Sequence, residues 1–271
     1  MASYVITGVS RGLGFEFLRQ LSSDPKNTVV GLVRDPAATK QKVSAELAGR
    51  SNIHILAGDL TNYDGLKSAA AETSVITGGS LDYLIANAAL MSNVDGYCAI
   101  GEIPPQVAAD VMHKSIDTNV IGNMHLINLF LPLILKGKVK KVIAITTAMA
   151  DVDFINQFDI QVGALYVSSK AALNVIIAKF NAQYKKEGVL FLGISPGVVD
   201  TGNFDPSALT PKQLEGLQGL FAGFVSYAPH FKGPVPPEVA VKNVMKVAGD
   251  ASLEKGSGGA FLSHFGNKQW I

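Results

Sequence analysis

Seven short apolar runs recur along this chain with helix-patterned segments between them, and this alternation constrains the fold more than any other feature. The runs are Tyr4–Thr7, Thr28–Val33, Ile53–Ala57, Tyr83–Ala86, Val142–Thr146, Val189–Ile194 and Ala260–Leu262. Most are apolar on both faces, as strands of a parallel sheet covered on both sides are. The segments Leu13–Ser22, Tyr63–Ala71, Ala108–Leu135, Tyr166–Glu187 and Pro237–Val247 read as helices. Alternating β and α predicts an α/β, Rossmann-like doubly wound sheet of about seven parallel strands, with right-handed crossovers placing helices on both faces. No linker or repeat interrupts the 271 residues, so a single domain over 1–271 is expected.

One segment departs from the alternation. Residues 202–237 are rich in Pro and Gly and carry Phe204, Phe221, Phe224, Tyr227, His230 and Phe231. So long an irregular insert in a compact domain is usually functional, and it is expected to be a substrate lid; the competing reading is a helical excursion that only packs.

The first strand runs into TGVSRGLG, and an apolar-periodic helix follows. That is the setting of a phosphate-cradling loop. Gly8 suits the tight turn, Gly12 lets the backbone approach a pyrophosphate, and Gly14 allows close helix–strand packing, with the helix N-terminus facing the anion. The residue at the end of the second strand meets the adenosine ribose in such folds, and here it is Arg34, followed by Asp35. An arginine pairs with the 2′-phosphate of NADP, and Arg11 in the turn adds a second positive charge. NADPH is the favoured cofactor; Asp35 keeps an NAD reading open.

Tyr166-Val-Ser-Ser-Lys170 is the second constellation. Tyrosine and lysine at i and i+4 share a helix face. A nearby ammonium favours the phenolate and is expected to lower the tyrosine pKa toward neutrality, suiting it to exchange a proton with a carbonyl or alcohol oxygen. Upstream, Thr146 and Thr147 put hydroxyls at a strand's C-terminal end, where ligands of open α/β sheets bind. Asn119 interrupts an apolar helix and must be satisfied there, which a bound water could do; the competing reading is a packing residue that distorts the helix. After the sixth strand, Pro196 and Gly197 turn the chain outward, and Thr201 in PGVVDT is placed to bond a carboxamide.

TGVSRGLG, Asp59 in GDL, Asn87-Ala88-Ala89, Asn119, the threonine pair, YVSSK and PGVVDT stand in the order and approximate spacing of the short-chain dehydrogenase/reductase family, which the whole chain resembles. Within it the chain looks most like carbonyl-reductase-like ketoreductases, including those of polyketide and secondary-metabolite pathways. The resemblance implies that Tyr166 is the proton donor or acceptor and that Lys170 tunes it and binds the nicotinamide ribose. It implies that Asn119 anchors a proton-relay water and Thr147 (with Thr146 as the alternative) polarises the substrate oxygen. Asp59 would contact the adenine, Asn87 would steady the sheet centre, and Val199 and Thr201 would hold the carboxamide. The implied cofactor-binding set is Gly8, Ser10, Arg11, Gly12, Leu13, Gly14, Arg34, Asp59, Leu60, Asn87, Tyr166, Lys170, Pro196, Val199 and Thr201.

Three departures stand out. Threonine replaces the family's serine. The interval from Thr147 to Tyr166, 19 positions, is longer than the family's usual one, and the extra segment within Asp151–Gly163 is expected to extend the substrate rim. The family's NNAG reads Ala86-Asn-Ala-Ala89.

The implied activity is NADPH-dependent reduction of a ketone or aldehyde, with a substrate of apolar or aromatic character; the alternative is a redox-silent NADP(H)-binding protein such as a sensor, cyclase or isomerase. A homodimer or homotetramer is the expected assembly. Net charge of +1 gives no electrostatic case for nucleic acid or anionic membrane. No His/Cys/Asp cluster reads as a metal site, and His54, His113 and His125 read as structural. MASYVITG enters a strand at once, and Cys98 is the sole cysteine, so a cytoplasmic protein without a signal segment is expected.

Overall fold

The structure, a computed structural model, describes residues 1–202 and 206–271; Phe204 lies outside them. Seven strands form one sheet: β1 Ser3–Thr7, β2 Thr28–Val33, β3 Ile53–Ala57, β4 Tyr83–Ala86, β5 Lys141–Ile145, β6 Leu190–Ser195 and β7 Phe261–Ser263. Their order is β3-β2-β1-β4-β5-β6-β7, and every pairing is parallel. The expected doubly wound fold is the one observed. Strand order reverses between β1 and β4, and the crevice beyond the carboxyl ends there is where such sheets take dinucleotides.

Two cores flank the sheet, and the strands' period of two divides their side chains between them. Val5, Leu84, Val142 and Ala144 face helices α3 (Tyr63–Ile76), α5 (Gly122–Ile134) and α7 (Ala164–Tyr184) through Leu66, Phe130 and Ile177. Tyr4, Ile6, Ile143 and Ile145 face α1 (Gly12–Leu21) and α9 (Pro237–Asp250) through Phe17, Leu18, Val241 and Val244.

The helix expected over Ala108–Leu135 is broken into three pieces. α4 (Pro105–Ile116) passes through a π-helical turn, Asp117–Ile121, into α5. Helix α2 (Pro36–Glu46) has no apolar stripe, only Thr39 being buried, so periodicity does not disclose it. Capping makes it: Asp35 accepts from the Ala37 amide at 3.0 Å, and Pro36 stands at the first helical position.

The segment expected to be irregular is mostly helix. α8 (Pro211–Tyr227) packs on α6 (Val152–Phe158), which is the extra segment before Tyr166. A third core holds them together: Phe154, Phe158, Phe221, Phe224, Tyr227 and Phe231 form a chain of ring contacts, and Trp270 closes it from the C-terminal tail. The Tyr227 hydroxyl accepts the Trp270 amide at 2.8 Å, and the indole stacks on Phe261 with centroids 4.5 Å apart. Two of the three glycines that obscure α8 in the sequence are close-approach positions. A Cβ on Gly216 would stand 2.2 Å from the Tyr97 carbonyl oxygen, and one on Gly223 would stand 2.7 Å from Ile160 Cδ1.

Candidate active site

The glycine turn is built as its sequence implies. Gly8 and Gly12 adopt left-handed φ of 76° and 55°, a region closed to most side chains. Gly14 lies in α1 against the turn, where a Cβ would stand 2.1 Å from the Gly8 carbonyl oxygen. Thr7, the last residue of β1, accepts the amides of Asn87 and Ala88 on Oγ1 at 3.0 and 2.9 Å. Asn87 Nδ2 donates to the Thr7 carbonyl at 2.9 Å. The β4 end is thereby bonded to the turn. The NNAG departure is accommodated: Ala88 fits beside side-chain-free Gly8, and Ala89 is exposed. On the other flank, Thr201 Cβ lies 3.4 Å from the Cβ position of Gly12, so PGVVDT folds back onto the glycine turn.

Arg11 and Arg34 are exposed, and neither is in an ion pair with an acid among the described residues. Asp35 turns its carboxylate to the start of α2. Asp59 receives the amide and hydroxyl of Thr61 at 3.0 and 2.9 Å. Leu60 departs from the cofactor-binding expectation in one respect: its side chain is in the core beside Gly122, which leaves its main chain for any cofactor contact.

Tyr166 and Lys170 share one face of α7. Lys170 is buried, and its Nζ donates to the carbonyl of Ile145, the last residue of β5, at 2.7 Å while standing 5.8 Å from the Tyr166 ring centroid. Burial sets the protonation of both. It pushes the Tyr166 phenol up to about 12 and the Lys170 ammonium down to about 8, because the charged form of each is the one poorly solvated. The lowering of the tyrosine expected from the nearby ammonium is therefore not what the protein alone shows. At neutral pH Tyr166 holds its proton, the form needed to give one away.

Asn119 sits in the π-helical turn, fully buried. Its Oδ1 accepts the Leu90 amide at 2.7 Å, and its Nδ2 donates to the Leu90 carbonyl and to Ser169 Oγ, each at 2.9 Å. No water is needed to satisfy this side chain, which corrects the reason given for its burial. It clasps the loop after β4 to α7, and its own carbonyl takes Asn123 Nδ2 at 2.9 Å. Single π turns are frequent at functional sites.

The two threonines differ. Thr147 is half-buried at the mouth of the strand end, with Oγ1 accepting the Met149 amide at a long 3.4 Å. Thr146 is buried, and its Oγ1 has no hydrogen-bond partner. A cavity of about 390 Å³ is lined by Ile100, Met149, Ile155, Ile160, Val162 and Val167, with Gln161 and Ser168 among its polar members; Thr147, Tyr166 and Lys170 are not part of its lining. It adjoins the third core through Met149 and Ile160, and its lining is mainly apolar.

Sequence reasoning missed two residues here. The His264 ring packs on Gly197, whose Cβ position is 2.8 Å from His264 Cε1; burial lowers its pKa. Asp95 caps the N-terminus of α7 from the loop after β4. Neither has a local signal, because each finds its partner some 70 positions away along the chain.

The sequence profile of the short chain dehydrogenase family matches residues 3–211. Among curated relatives, the chain is 58% identical to short chain dehydrogenase virK of Hypocrea virens and 53% identical to short-chain dehydrogenase/reductase iacC of Pestalotiopsis fici, each match covering 100% of both chains. Among solved structures, an NADPH-bound carbonyl reductase from chicken fatty liver superposes with a TM-score of 0.76 at 23% identity, covering 98% of each chain. Carbonyl reductase Sniffer of Drosophila melanogaster does so with 0.77 at 20% identity, again over 98% of each. With the family profile matching most of the chain and relatives more than half identical over its full length, the chain belongs to the short-chain dehydrogenase/reductase family of oxidoreductases.

Proposed function

We propose that this protein is an NADPH-dependent ketoreductase for an apolar or aromatic carbonyl compound. The observation that carries the reading is the Tyr166–Lys170 pair, fixed to the end of β5 by the Lys170–Ile145 bond, with only β4 between β5 and the strand that leads into the glycine turn.

The residues present fit the cofactor. Gly8, Gly12 and Gly14 keep side chains out of the turn, and the α1 N-terminus, with Ser10 and Leu13 around it, offers amides to a pyrophosphate. Arg11 and Arg34 are exposed cations in no ion pair among the described residues, while Asp35 is committed to α2, which supports a 2′-phosphate over a free 2′-hydroxyl. Asp59, Leu60, Asn87, Pro196, Val199 and Thr201 complete the cradle. When bound, NADPH supplies the hydride that a carbonyl carbon takes up.

The chain's own residues do the rest. Thr147 Oγ1 donates to the carbonyl oxygen and stabilises the negative charge that develops on it. Tyr166 gives that oxygen its proton. Lys170, held at Ile145, stabilises the phenolate left behind and, through its pKa of about 8, can pass on a proton near neutral pH. Ile155 of α6 lines the 390 Å³ cavity and α8 packs on α6, which supports residues 202–237 as the substrate-side cover. Met149, two residues beyond Thr147, lines the mainly apolar 390 Å³ cavity, which supports an apolar ligand.

The test mixes the protein with NADPH and a panel of aliphatic and aromatic ketones and follows reduced-nicotinamide absorbance. Turnover that Tyr166→Phe abolishes, with NADPH affinity retained, is expected. Tight NADPH binding without consumption on any ketone would replace this reading with a redox-silent binding protein.

A further inference from the structure

Helix α7 carries Tyr166 in its first turn, yet it has no cap of its own. The preceding residue is Gly163, at φ 77° and without a side chain to offer. The cap comes from Asp95, in a short turn of the loop after β4. Asp95 Oδ1 accepts the Leu165 amide at 2.9 Å, Oδ2 accepts the Tyr166 amide at 2.7 Å, and its main-chain oxygen accepts the Gly163 amide at 2.9 Å. The residue is completely buried, and it is in no ion pair among the described residues. A buried carboxylate without a cation is costly unless its oxygens are bonded. Here two N–H donors and the positive end of a 21-residue helix hold it.

With φ at 77°, position 163 strains any residue whose side chain could cap α7 from its own chain. What a cap from residue 95 adds is position. The same loop is bonded at its other end to the glycine turn, through Thr7 to Asn87 and Ala88, and in its middle to the π turn, through Asn119 to Leu90. An antiparallel bridge between Ala99 and Val162 pins it again. The loop thus runs from the cofactor's turn to the main-chain amide of Tyr166 itself.

We propose that Asp95 is a positioning residue: its carboxylate sets Tyr166 in register with the cofactor crevice, acting through the helix start rather than on substrate. This rests on the reading of Tyr166 as the proton donor. A misplacement of about 1 Å can cost about 100-fold in rate, so the effect belongs in kcat and not in cofactor binding.

The experiment measures kcat, KM for NADPH and melting temperature for wild type, Asp95→Asn, Asp95→Ala and Asn62→Ala, using an aromatic ketone that wild type reduces. Asn62 caps α3, its side chain accepting the Gly65 amide at 2.9 Å; only its main chain, which the substitution keeps, bonds Asp59, and it serves as a cap-loss control for kcat. Asp95→Asn, keeping one acceptor, should lower kcat about tenfold and Asp95→Ala about 100-fold, with KM for NADPH within about twofold; Asn62→Ala should lose melting temperature but keep kcat. Wild-type kcat in Asp95→Ala overturns the proposal. So does a fall in kcat no larger than that of Asn62→Ala at equal loss of stability. Amide hydrogen exchange on the unmutated protein decides the matter if the Asp95 variants do not fold. Leu165 and Tyr166 amides as slow as those in the middle of α7 support the tether, and exchange as fast as at the uncapped start of α9 overturns it. Failure of the underlying reading has its own signature: wild type reduces no ketone while both amides stay protected, and the proposal then falls with it.

Discussion

Replacing Gly14 by alanine would place a methyl carbon 2.1 Å from the Gly8 carbonyl oxygen and 2.7 Å from Asn87 Nδ2, where ordinary contacts begin at 3.4 Å. The obstacle on the Gly8 side is backbone, so no rotamer relieves it. The glycine turn and α1 must separate by about 1 Å, and forcing a methyl into such a packed contact costs about 1–3 kcal/mol. For a domain of this size, about 2 kcal/mol lowers the melting temperature by about 4–8 °C. The same movement displaces the amides that face the pyrophosphate, so the dissociation constant for NADPH should rise at least about tenfold, equivalent to about 1.4 kcal/mol. Differential scanning fluorimetry without cofactor reads the first effect, and NADPH fluorescence titration reads the second. Gly219→Ala is the control. Gly219 is an exposed position inside α8 with nothing within 4 Å of its Cβ position, so alanine there should stabilise by about 0.4–1 kcal/mol. Gly14→Ala with wild-type melting temperature and NADPH affinity would refute the claim that backbone contact, and not habit of sequence, requires glycine in the turn.

Other substitutions probe the remaining assignments. Thr147→Val should lower kcat about 100-fold, the usual cost of one lost oxyanion donor, whereas Thr146→Val should leave activity near wild type and stability equal or higher, since the Thr146 hydroxyl is buried without a partner; the reverse pattern would move the role to Thr146. Arg34→Ala should weaken NADPH binding about tenfold or more while leaving NADH binding unchanged, and equal losses for both cofactors would count against the 2′-phosphate assignment. Lys170 releases its proton near 8 when folded and near its ordinary 10.5 when unfolded. Between those values the unfolded chain binds more protons, so the lysine's contribution to stability improves as pH rises from 8 to 10.5, by up to about 3 kcal/mol. Denaturant unfolding of wild type and Lys170→Met without cofactor should show their stability difference shifting toward wild type across that window, and a flat difference would contradict it. Trp270→Ala should destabilise by about 3–5 kcal/mol, read by urea unfolding, because the indole is 3% exposed and stacked on Phe261.

The sheet and the cofactor turn were legible because their signals are local. Apolar runs such as Val29–Val33 and Val142–Ile145 are buried on both faces, and that composition names a parallel strand without reference to its neighbours. Gly8 and Gly12 are dictated by backbone φ within the turn, and Tyr166 and Lys170 by the pitch of one helix. Helix α2 was not legible, since a cap and not an apolar stripe makes it. Helix α8 was not either, because Gly216, Gly219 and Gly223 read as breakers until Tyr97 and Ile160 are found against two of them.

The sequence by itself determined a dinucleotide-type α/β sheet, a glycine turn at its switch point and a tyrosine–lysine pair on one helix face, all properties of residues within one turn or strand of each other. Only the tertiary structure decided how those pieces are registered. It committed Asp35 to α2, clasped Leu90 with Asn119, separated a half-buried Thr147 from a buried Thr146, set the protonation of Tyr166 and Lys170 by burial, and brought Asp95 to the amide of Tyr166. Each of these depends on contacts across long stretches of chain and on exclusion of water, and neither quantity is carried by residue type or by spacing along the sequence.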